Sequence, residues 1–281
     1  MSRPIAVPAA PPSRKLHRKR RRTGLFVLAA ATATLALLLV LPPPGVTATT
    51  GAAPGESSSN NVAAFGGTAN SANARFVVDA YQQLLGRTAD SAGLDFHLSR
   101  LAAGGDRSRQ TFVYALLFSS EGSGQEVGRA YDDLLGRAAD ATGATYWTSH
   151  LEGHGVLDLR VLLLASEEYH SRAGGTNAAW IEALYLDVLG RASDPGGLAY
   201  WLALADGGTP RPLIVAGLYL SDEALERRVD AYYQETLTRA PTPTERTDGV
   251  AYIRTNGERQ LRAKIWASDE AFEQYLDAAL S

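Results

Sequence analysis

Residues 185–201 read Tyr-Leu-Asp-Val-Leu-Gly-Arg-Ala-Ser-Asp-Pro-Gly-Gly-Leu-Ala-Tyr-Trp, and this phrase decides the fold because the chain repeats it. Its constant parts are a tyrosine, Leu-Gly-Arg, an aspartate, a glycine three residues later and an aromatic pair. The tyrosine, glycine, arginine and aspartate recur as Tyr81, Gly86, Arg87 and Asp90, as Tyr131, Gly136, Arg137 and Asp140, and as Tyr185, Gly190, Arg191 and Asp194. A fourth copy has Thr238 in place of the glycine. A period of about 50 residues predicts that one supersecondary unit is used repeatedly.

Outward from this phrase, the flanking residues predict helices. Apolar residues before each Leu-Gly-Arg lie at helical spacing, as Leu184 and Val188 do in the third copy. The motif glycine suits the left-handed C-cap of this first helix. The motif aspartate suits the N-cap of a second helix, and Pro195 fits its first turn. In the fourth copy Thr242 and Glu245 form a capping-box sequence instead, which indicates that the aspartates are mainly structural.

A third apolar helix follows in each copy and ends at a Ser-x-Glu sequence. The serine suits the N-cap of the next helix, and it recurs as Ser119, Ser166, Ser221 and Ser268. The sequence therefore predicts an all-α fold of four tandem three-helix repeats, at approximately 75–122, 123–173, 177–223 and 224–273, which form one helical body over residues 75–281. The helix after Ser221 is expected to run unbroken through Tyr233, so that successive repeats share helices.

The N-terminal part of the chain predicts export. Residues 1–24 contain eight arginines and lysines and no acidic residue, and the apolar stretch Leu25–Leu41 follows directly. This order is typical of a cytoplasmic basic region and a signal peptide or signal-anchor transmembrane helix, with cleavage and retention both open. Residues 42–74 are rich in Gly, Ser, Asn and Ala, which predicts a disordered linker. The body is thus expected outside the cytoplasm, secreted or anchored to the cytoplasmic membrane.

The composition restricts the possible partners and chemistry. Beyond the basic leader the chain has 19 basic and 30 acidic residues, a formal charge of −11, which argues against nucleic acid as a partner. The chain has no cysteine, so disulfides, thiolate metal sites and cysteine nucleophiles are excluded. Sequence motifs of nucleophile elbows, phosphate loops and dinucleotide sites are missing. No cofactor is predicted.

The repeated Leu-Gly-Arg, Asp, Gly, Tyr-Trp and closing Ser-x-Glu-aromatic pattern resembles the bacterial family called domain of unknown function 4214. The resemblance extends from Phe76 to Phe272, and copies two and three carry it most completely. It implies an exported or surface protein with no established activity. That family is similar to the phycobilisome linker domain, an all-helical fold that joins other proteins; the photosynthetic role does not carry over. Copies one and four depart from the pattern, for example at Thr238, and are expected to cap the array.

Three sets of side chains are candidates for ligand chemistry. The motif arginines and aspartates could form a ligand or cation site in each copy, although pairing across the loop between two helix ends explains them more simply. The four tryptophans are expected mainly in the core, with sugar stacking as the alternative if they are exposed: Trp147, Trp180, Trp201 and Trp266. His150 and His154 have a spacing that zinc sites use, but Gly153 and Gly155 interrupt the helix, so they are weak metal candidates.

These observations lead to three hypotheses for function. The first is a non-catalytic helical repeat protein, exported or held in the membrane through residues 25–41, that mediates protein–protein contacts at the bacterial cell envelope. The second is a module that binds a cell-wall glycan through exposed aromatic side chains. The third, less favoured, is a wall hydrolase that uses carboxylates.

Overall fold

The computed structural model describes residues 68–102, 105–153 and 155–280, and these residues form helices joined by short turns. The predicted segments 1–24 and 25–41, and the linker up to residue 67, lie outside the described residues. The helices are α1 Thr68–Ala80, α2 Ser91–Leu101, α3 Gly105–Leu117, α4 Ser120–Leu135, α5 Ala141–Gly153, α6 Val156–Leu164, α7 Glu167–Arg172, α8 Asn177–Leu184, α9 Pro195–Asp206, α10 Arg211–Tyr219, α11 Asp222–Leu237, α12 Pro243–Asn256, α13 Glu258–Trp266 and α14 Asp269–Leu280. Helices α1 and α8 each continue into a π-helical turn, Tyr81–Leu85 and Tyr185–Leu189. No strand occurs in this described part, which confirms the all-α prediction.

The motif residues act as the helix caps that the sequence predicts. Gly86, Gly136 and Gly190 are left-handed C-caps with φ of 71°, 64° and 69°. The aspartate side chains accept hydrogen bonds at 2.8–2.9 Å from the backbone N–H of a second glycine, three residues after the aspartate. The pairs are Asp90–Gly93, Asp140–Gly143 and Asp194–Gly197. These contacts fix the residue at which the second helix of each copy begins.

The predicted serine and threonine caps are also confirmed. The hydroxyls of Ser119, Ser166, Ser221 and Ser268 accept from the backbone N–H three residues on, at 3.0–3.3 Å. In the fourth copy Thr242 and Glu245 form both bonds of a capping box. Helix α11 runs unbroken through Tyr233, as the sequence predicts, and α4 likewise runs unbroken from Ser120, after the closing serine of copy one, through Tyr131 of copy two.

The helical body starts earlier than the predicted boundary between linker and body. Helix α1 begins at Thr68, and Ala72 and Ala74 are completely buried. A disordered linker up to residue 74 is therefore wrong for residues 68–74. Large apolar residues are absent from this stretch, but α1 packs against α14, where alanine side chains allow a close approach.

The first and last copies pack on each other and are not caps of an open array. Helix α1 contacts α14, and α3 contacts α13. The Phe76 ring lies 5.8 Å from the ring centroid of Phe272 and 5.5 Å from that of Tyr275. Phe76 and Trp266 are buried in one apolar cluster. The described helices therefore close on themselves, because both ends of the array are apolar.

Closure divides the apolar core into three clusters. One belongs to α4–α11, a second to α1–α3 with part of α13, and a third to α11–α14. A cleft lined by charged side chains lies where α4, α6, α11 and α13 meet. None of the described helices is both long enough and apolar enough to cross a bilayer.

Candidate functional site

The arginine of each Leu-Gly-Arg forms a two-pronged ion pair with the glutamate of the following Ser-x-Glu. In the second copy Arg137 Nε and Nη2 donate to Glu168 Oε1 and Oε2 at 2.5 and 2.7 Å. The same fork joins Arg87 to Glu121, Arg191 to Glu223 and Arg239 to Glu270. Each guanidinium lies 5.0–5.3 Å from the ring centroid of the motif tyrosine. Tyrosine, arginine and glutamate thus join the end of one helix to the start of another.

The pairing of motif arginine with motif aspartate is wrong as the main contact. Among these pairs only Arg191 and Asp194 come within ion-pair distance, at 3.9 Å between Nη1 and Oδ2. The aspartate carboxylates are occupied as N-caps, whereas a glutamate about 30 residues further along offers both oxygens to the guanidinium. Hydrogen bonds from Arg137 hold the pKa of Glu168 below its usual value. The forks are solvent-exposed, so each contributes about 1 kcal/mol or less to stability.

The motif glycine after the aspartate makes room for the motif tyrosine. A Cβ on Gly143 would lie 2.9 Å from the Tyr131 hydroxyl, and one on Gly197 would overlap the Tyr185 hydroxyl. Tyr131 and Tyr185 are themselves buried, so they have little freedom to move. The sequence shows that this glycine recurs, but only the fold shows that the tyrosine ring requires it.

The four tryptophans are core residues, so their alternative role in sugar stacking is wrong. Their exposed fractions are 8, 0, 1 and 2% for Trp147, Trp180, Trp201 and Trp266, respectively. Trp180 Nε1 also donates a 2.9 Å hydrogen bond to the Leu164 carbonyl. Among the residues that the structure describes, the exposed aromatic side chains are instead Phe96 at 54% and Tyr146 at 59%. These two are the first members of the aromatic pairs in copies one and two.

The candidate histidines do not form a metal site in the described part of the chain. His150 Nε2 lies 3.2 Å from Asp158 Oδ2, and its ring stacks on Tyr146 with centroids 5.9 Å apart. His154 lies outside the described residues. Within the described ranges, no group of three or more metal-binding side chains occurs.

Sequence reasoning missed the central cleft, the name used below for the charged cleft between α4, α6, α11 and α13. Its lining includes Glu126, Arg129, Val156, Arg160, Asp187, Val188, Tyr219, Arg227, Arg228, Tyr232, Glu235, Glu258, Arg259 and Arg262. One signal was available. When the copies are aligned on the closing serine, α13 has Glu258 and Arg259 where α6 has Val156 and Leu157.

The fold and its recurring site define a class: all-α proteins built from a repeated unit whose helices are joined by an Arg–Glu fork. The model of the family described as Domain of unknown function (DUF4214) matches residues 57–126 and 161–228. The predicted family resemblance is thereby confirmed over these two segments, which together make up just under half of the chain. The matched segments contain the first and third copies of the motif, whereas the sequence pattern favoured the second and third. No curated protein and no solved structure matches the chain, so the similarity to the phycobilisome linker domain stays a prediction.

Proposed function

We propose that this chain is a non-catalytic, exported or membrane-tethered protein that binds another protein at the bacterial cell envelope. The observation that carries the proposal is the exposure of Phe96 and Tyr146, at 54 and 59%, in corresponding positions of two successive copies. Aromatic side chains are enriched in protein interfaces, where their burial contributes much of the binding energy.

The surroundings of these two rings support a protein partner. The Arg100 guanidinium lies 5.3 Å from the Phe96 ring centroid, and His150 stacks on Tyr146 with an interplanar angle of 16°. Each ring therefore combines apolar area with a neighbouring hydrogen-bond donor, a combination typical of interface residues. The basic leader and the apolar stretch Leu25–Leu41 support the envelope location.

The roles of the recurrent acidic residues support a non-catalytic protein. Asp140 caps a helix, and Glu168 is paired with Arg137. Both carboxylates are exposed, and hydrogen bonds from Arg137 lower the pKa of Glu168, whereas a general acid requires a raised pKa.

The test is a pull-down of envelope proteins with the tagged full chain and with a Phe96→Ala/Tyr146→Ala double variant. We expect the full chain to retain a specific envelope protein, and the double variant to lose it while keeping its helical circular dichroism. Leu186→Ala/Leu220→Ala is the matched control, since it removes exposed apolar area elsewhere, at side chains 55 and 44% exposed. Loss of the partner in this control alone would contradict the proposed surface, and a cytoplasmic location of the tagged chain would contradict the envelope role.

A wall glycan is the second candidate, because the exposed rings of Phe96 and Tyr146 could also stack on sugars. The same chain is therefore incubated with purified wall polysaccharide. Retention there that Phe96→Ala/Tyr146→Ala abolishes, without capture of any envelope protein, would replace the adaptor by a glycan-binding module.

A further inference from the structure

The central cleft is positively charged although the body around it is acidic. Its volume is about 260 Å³, and its lining contains six arginines and four acidic residues, a net charge of +2. The part of the chain beyond the basic leader has a formal charge of −11. The positive charge is thus local, and four helices bring it together: α4, α6, α11 and α13.

Three of the four acidic side chains in the cleft are already paired with arginines, and the fourth, Asp187, accepts a hydrogen bond from the Tyr169 hydroxyl. Arg160 Nη2 lies 3.3 Å from Glu126 Oε1, and Arg129 Nη2 lies 3.4 Å from the other oxygen of this carboxylate. Burial opposes ionisation of Glu126, but the arginines around it outweigh burial and lower its pKa. Arg228 Nε lies 2.7 Å from Glu258 Oε2. One carboxylate therefore serves two guanidinium groups, and the cleft keeps a surplus of positive charge.

Arg262 adds an unused donor to this surplus. Its Nη2 pairs with Glu235, on the side of α11. Its Nε–H is buried and has no acceptor in the described part of the chain. A buried N–H without an acceptor is costly, and an anion in the cleft would satisfy it.

Arg259 is the most buried cation of the cleft. Its exposed fraction is 5%, and no carboxylate of the described residues lies within ion-pair distance. Its Nη1 donates to the Leu151 carbonyl at 3.1 Å, and its Nη2 to the Leu117 carbonyl and to Ser123 Oγ. These partners are neutral, and burial lowers the pKa of this guanidinium. The guanidinium also lies 4.2 Å from the Phe118 ring centroid. A buried charge without a paired counter-charge is destabilising, so an anion beside Arg259 would stabilise it.

We propose that the central cleft binds a phosphate group, either as inorganic phosphate or as a phosphate monoester. A phosphate dianion matches the net charge of +2. Its oxygens accept forked hydrogen bonds from guanidinium groups, which is the geometry that arginine offers. The volume suits a small ligand, since drug-sized ligands occupy pockets of about 300–1,000 Å³. Arg129 and Arg227 lie at the solvent-exposed side of the lining and give an anion a route to the interior.

A network that only holds the helices together would show the same ion pairs, but it would not respond to phosphate. Asp133 lies 3.6 Å from Arg160 and is exposed, so solvent screens its contribution. A measurement of phosphate binding therefore distinguishes a phosphate site from a purely structural network. The phosphate site does not depend on the proposed envelope partner, so either proposal can be wrong while the other is right.

The experiment uses the full chain in detergent, which the apolar stretch Leu25–Leu41 requires, and measures thermal unfolding and calorimetric binding at constant ionic strength. At a phosphate concentration about 100 times its Kd, one site raises Tm by roughly 5–10 °C. Potassium acetate replaces phosphate in a parallel series. Glycerol phosphate distinguishes a free anion from an ester: tighter binding of either compound supports the proposal and identifies the source.

Two cleft variants and one matched control locate the site. We expect Arg262→Gln to weaken phosphate binding at least tenfold, and Arg129→Gln, whose side chain is 36% exposed and whose folding is at less risk, to weaken it severalfold. Arg107→Gln removes an exposed arginine outside the cleft and should leave Kd unchanged. Equal phosphate affinity in all three variants, an equal effect of acetate, or no effect of phosphate on the unmodified chain would overturn the proposal.

Discussion

The tyrosine of each copy leaves little room for a side chain at the glycine after the motif aspartate, and substitution of this glycine by alanine tests whether the tyrosine excludes larger residues. The glycine follows the motif aspartate by three residues and lies in the first turn of the second helix. The chain offers three versions of the same substitution: Gly93→Ala, Gly143→Ala and Gly197→Ala. The space for a Cβ decreases along this series, because the tyrosine hydroxyl lies 3.4 Å away in the first copy, 2.9 Å away in the second and overlaps the Cβ in the third.

The expected magnitudes follow from two opposing effects. Alanine restricts the unfolded chain and favours the helix, which stabilises a protein by about 0.5–1 kcal/mol where the side chain fits. Overpacking costs about 1–3 kcal/mol. At Gly93 the distance from the new Cβ to the Tyr81 hydroxyl is that of an ordinary contact, so the stabilisation by alanine is retained. At Gly197 the Cβ would also lie 3.1 Å from Tyr185 Cζ, and Tyr185 is only 4% exposed and cannot swing into solvent. The net loss there should be about 1–2 kcal/mol.

The assay is thermal and urea unfolding of the full chain, followed by circular dichroism. For a body of this size each kcal/mol changes Tm by about 2–4 °C. We expect Gly197→Ala to lower Tm by roughly 2–8 °C, Gly93→Ala to raise it slightly, and Gly143→Ala to fall between them. If Gly197→Ala is as stable as Gly93→Ala, the tyrosine hydroxyl does not constrain the glycine and the motif needs another explanation.

Three further predictions concern the caps and the core. Thr238 has φ of 53°, a left-handed conformation that costs a branched residue about 1–2 kcal/mol, so Thr238→Gly should raise the free energy of unfolding by about 0.5–1 kcal/mol in urea titrations; an unchanged or lower value would contradict this. Hydrogen bonds from Arg239 lower the pKa of Glu245 from 4.5 to about 2, so the stability that this carboxylate contributes is present above pH 4.5 and is lost as the pH falls towards 2. Glu245→Gln should therefore flatten the fall of the urea midpoint over that pH range, and a slope equal to that of the unmodified chain would refute the reasoning. Trp180→Phe should cost about 1–3 kcal/mol, because the Leu164 carbonyl loses its donor, and Trp180→Ala about 3–5 kcal/mol through the cavity; if neither changes the unfolding midpoint, Trp180 is not a core residue.

Local interactions explain why so much of the fold could be predicted from the sequence. Each cap joins residues three or four positions apart, so the pairs Asp140–Gly143 and Thr242–Glu245 are visible in the sequence. Helical periodicity is equally local and gives the apolar faces. The sequence does not indicate the start of α1, because the residues buried there are the small Ala72, Asn73 and Ala74. Their burial is evident only from the helix against which they pack.

The site depends on distances that the sequence does not contain. Arg137 meets Glu168 across 31 residues, whereas proximity in the sequence favours Asp140 as its partner. The recurrence of Ser-x-Glu at every copy is the one sequence signal of this pairing, and by itself it indicates only a helix cap. A residue that recurs with the fold can thus serve two purposes, of which the local one is easier to recognise.

The burial of the charged residues of α13 cannot be predicted from a single repeat. As part of one repeat, Glu258 and Arg259 occupy positions that are apolar in α6, and they look like ordinary surface residues. In the closed body Arg259 reaches carbonyls 108 and 142 residues away, at the ends of α5 and α3. Closure by α1 and α14 therefore turns a polar helix inward, beside Glu126 and Arg160. Burial of these charges carries a desolvation penalty that apolar residues at the same positions would avoid. Binding of an anion therefore explains the side chains of the cleft better than packing does.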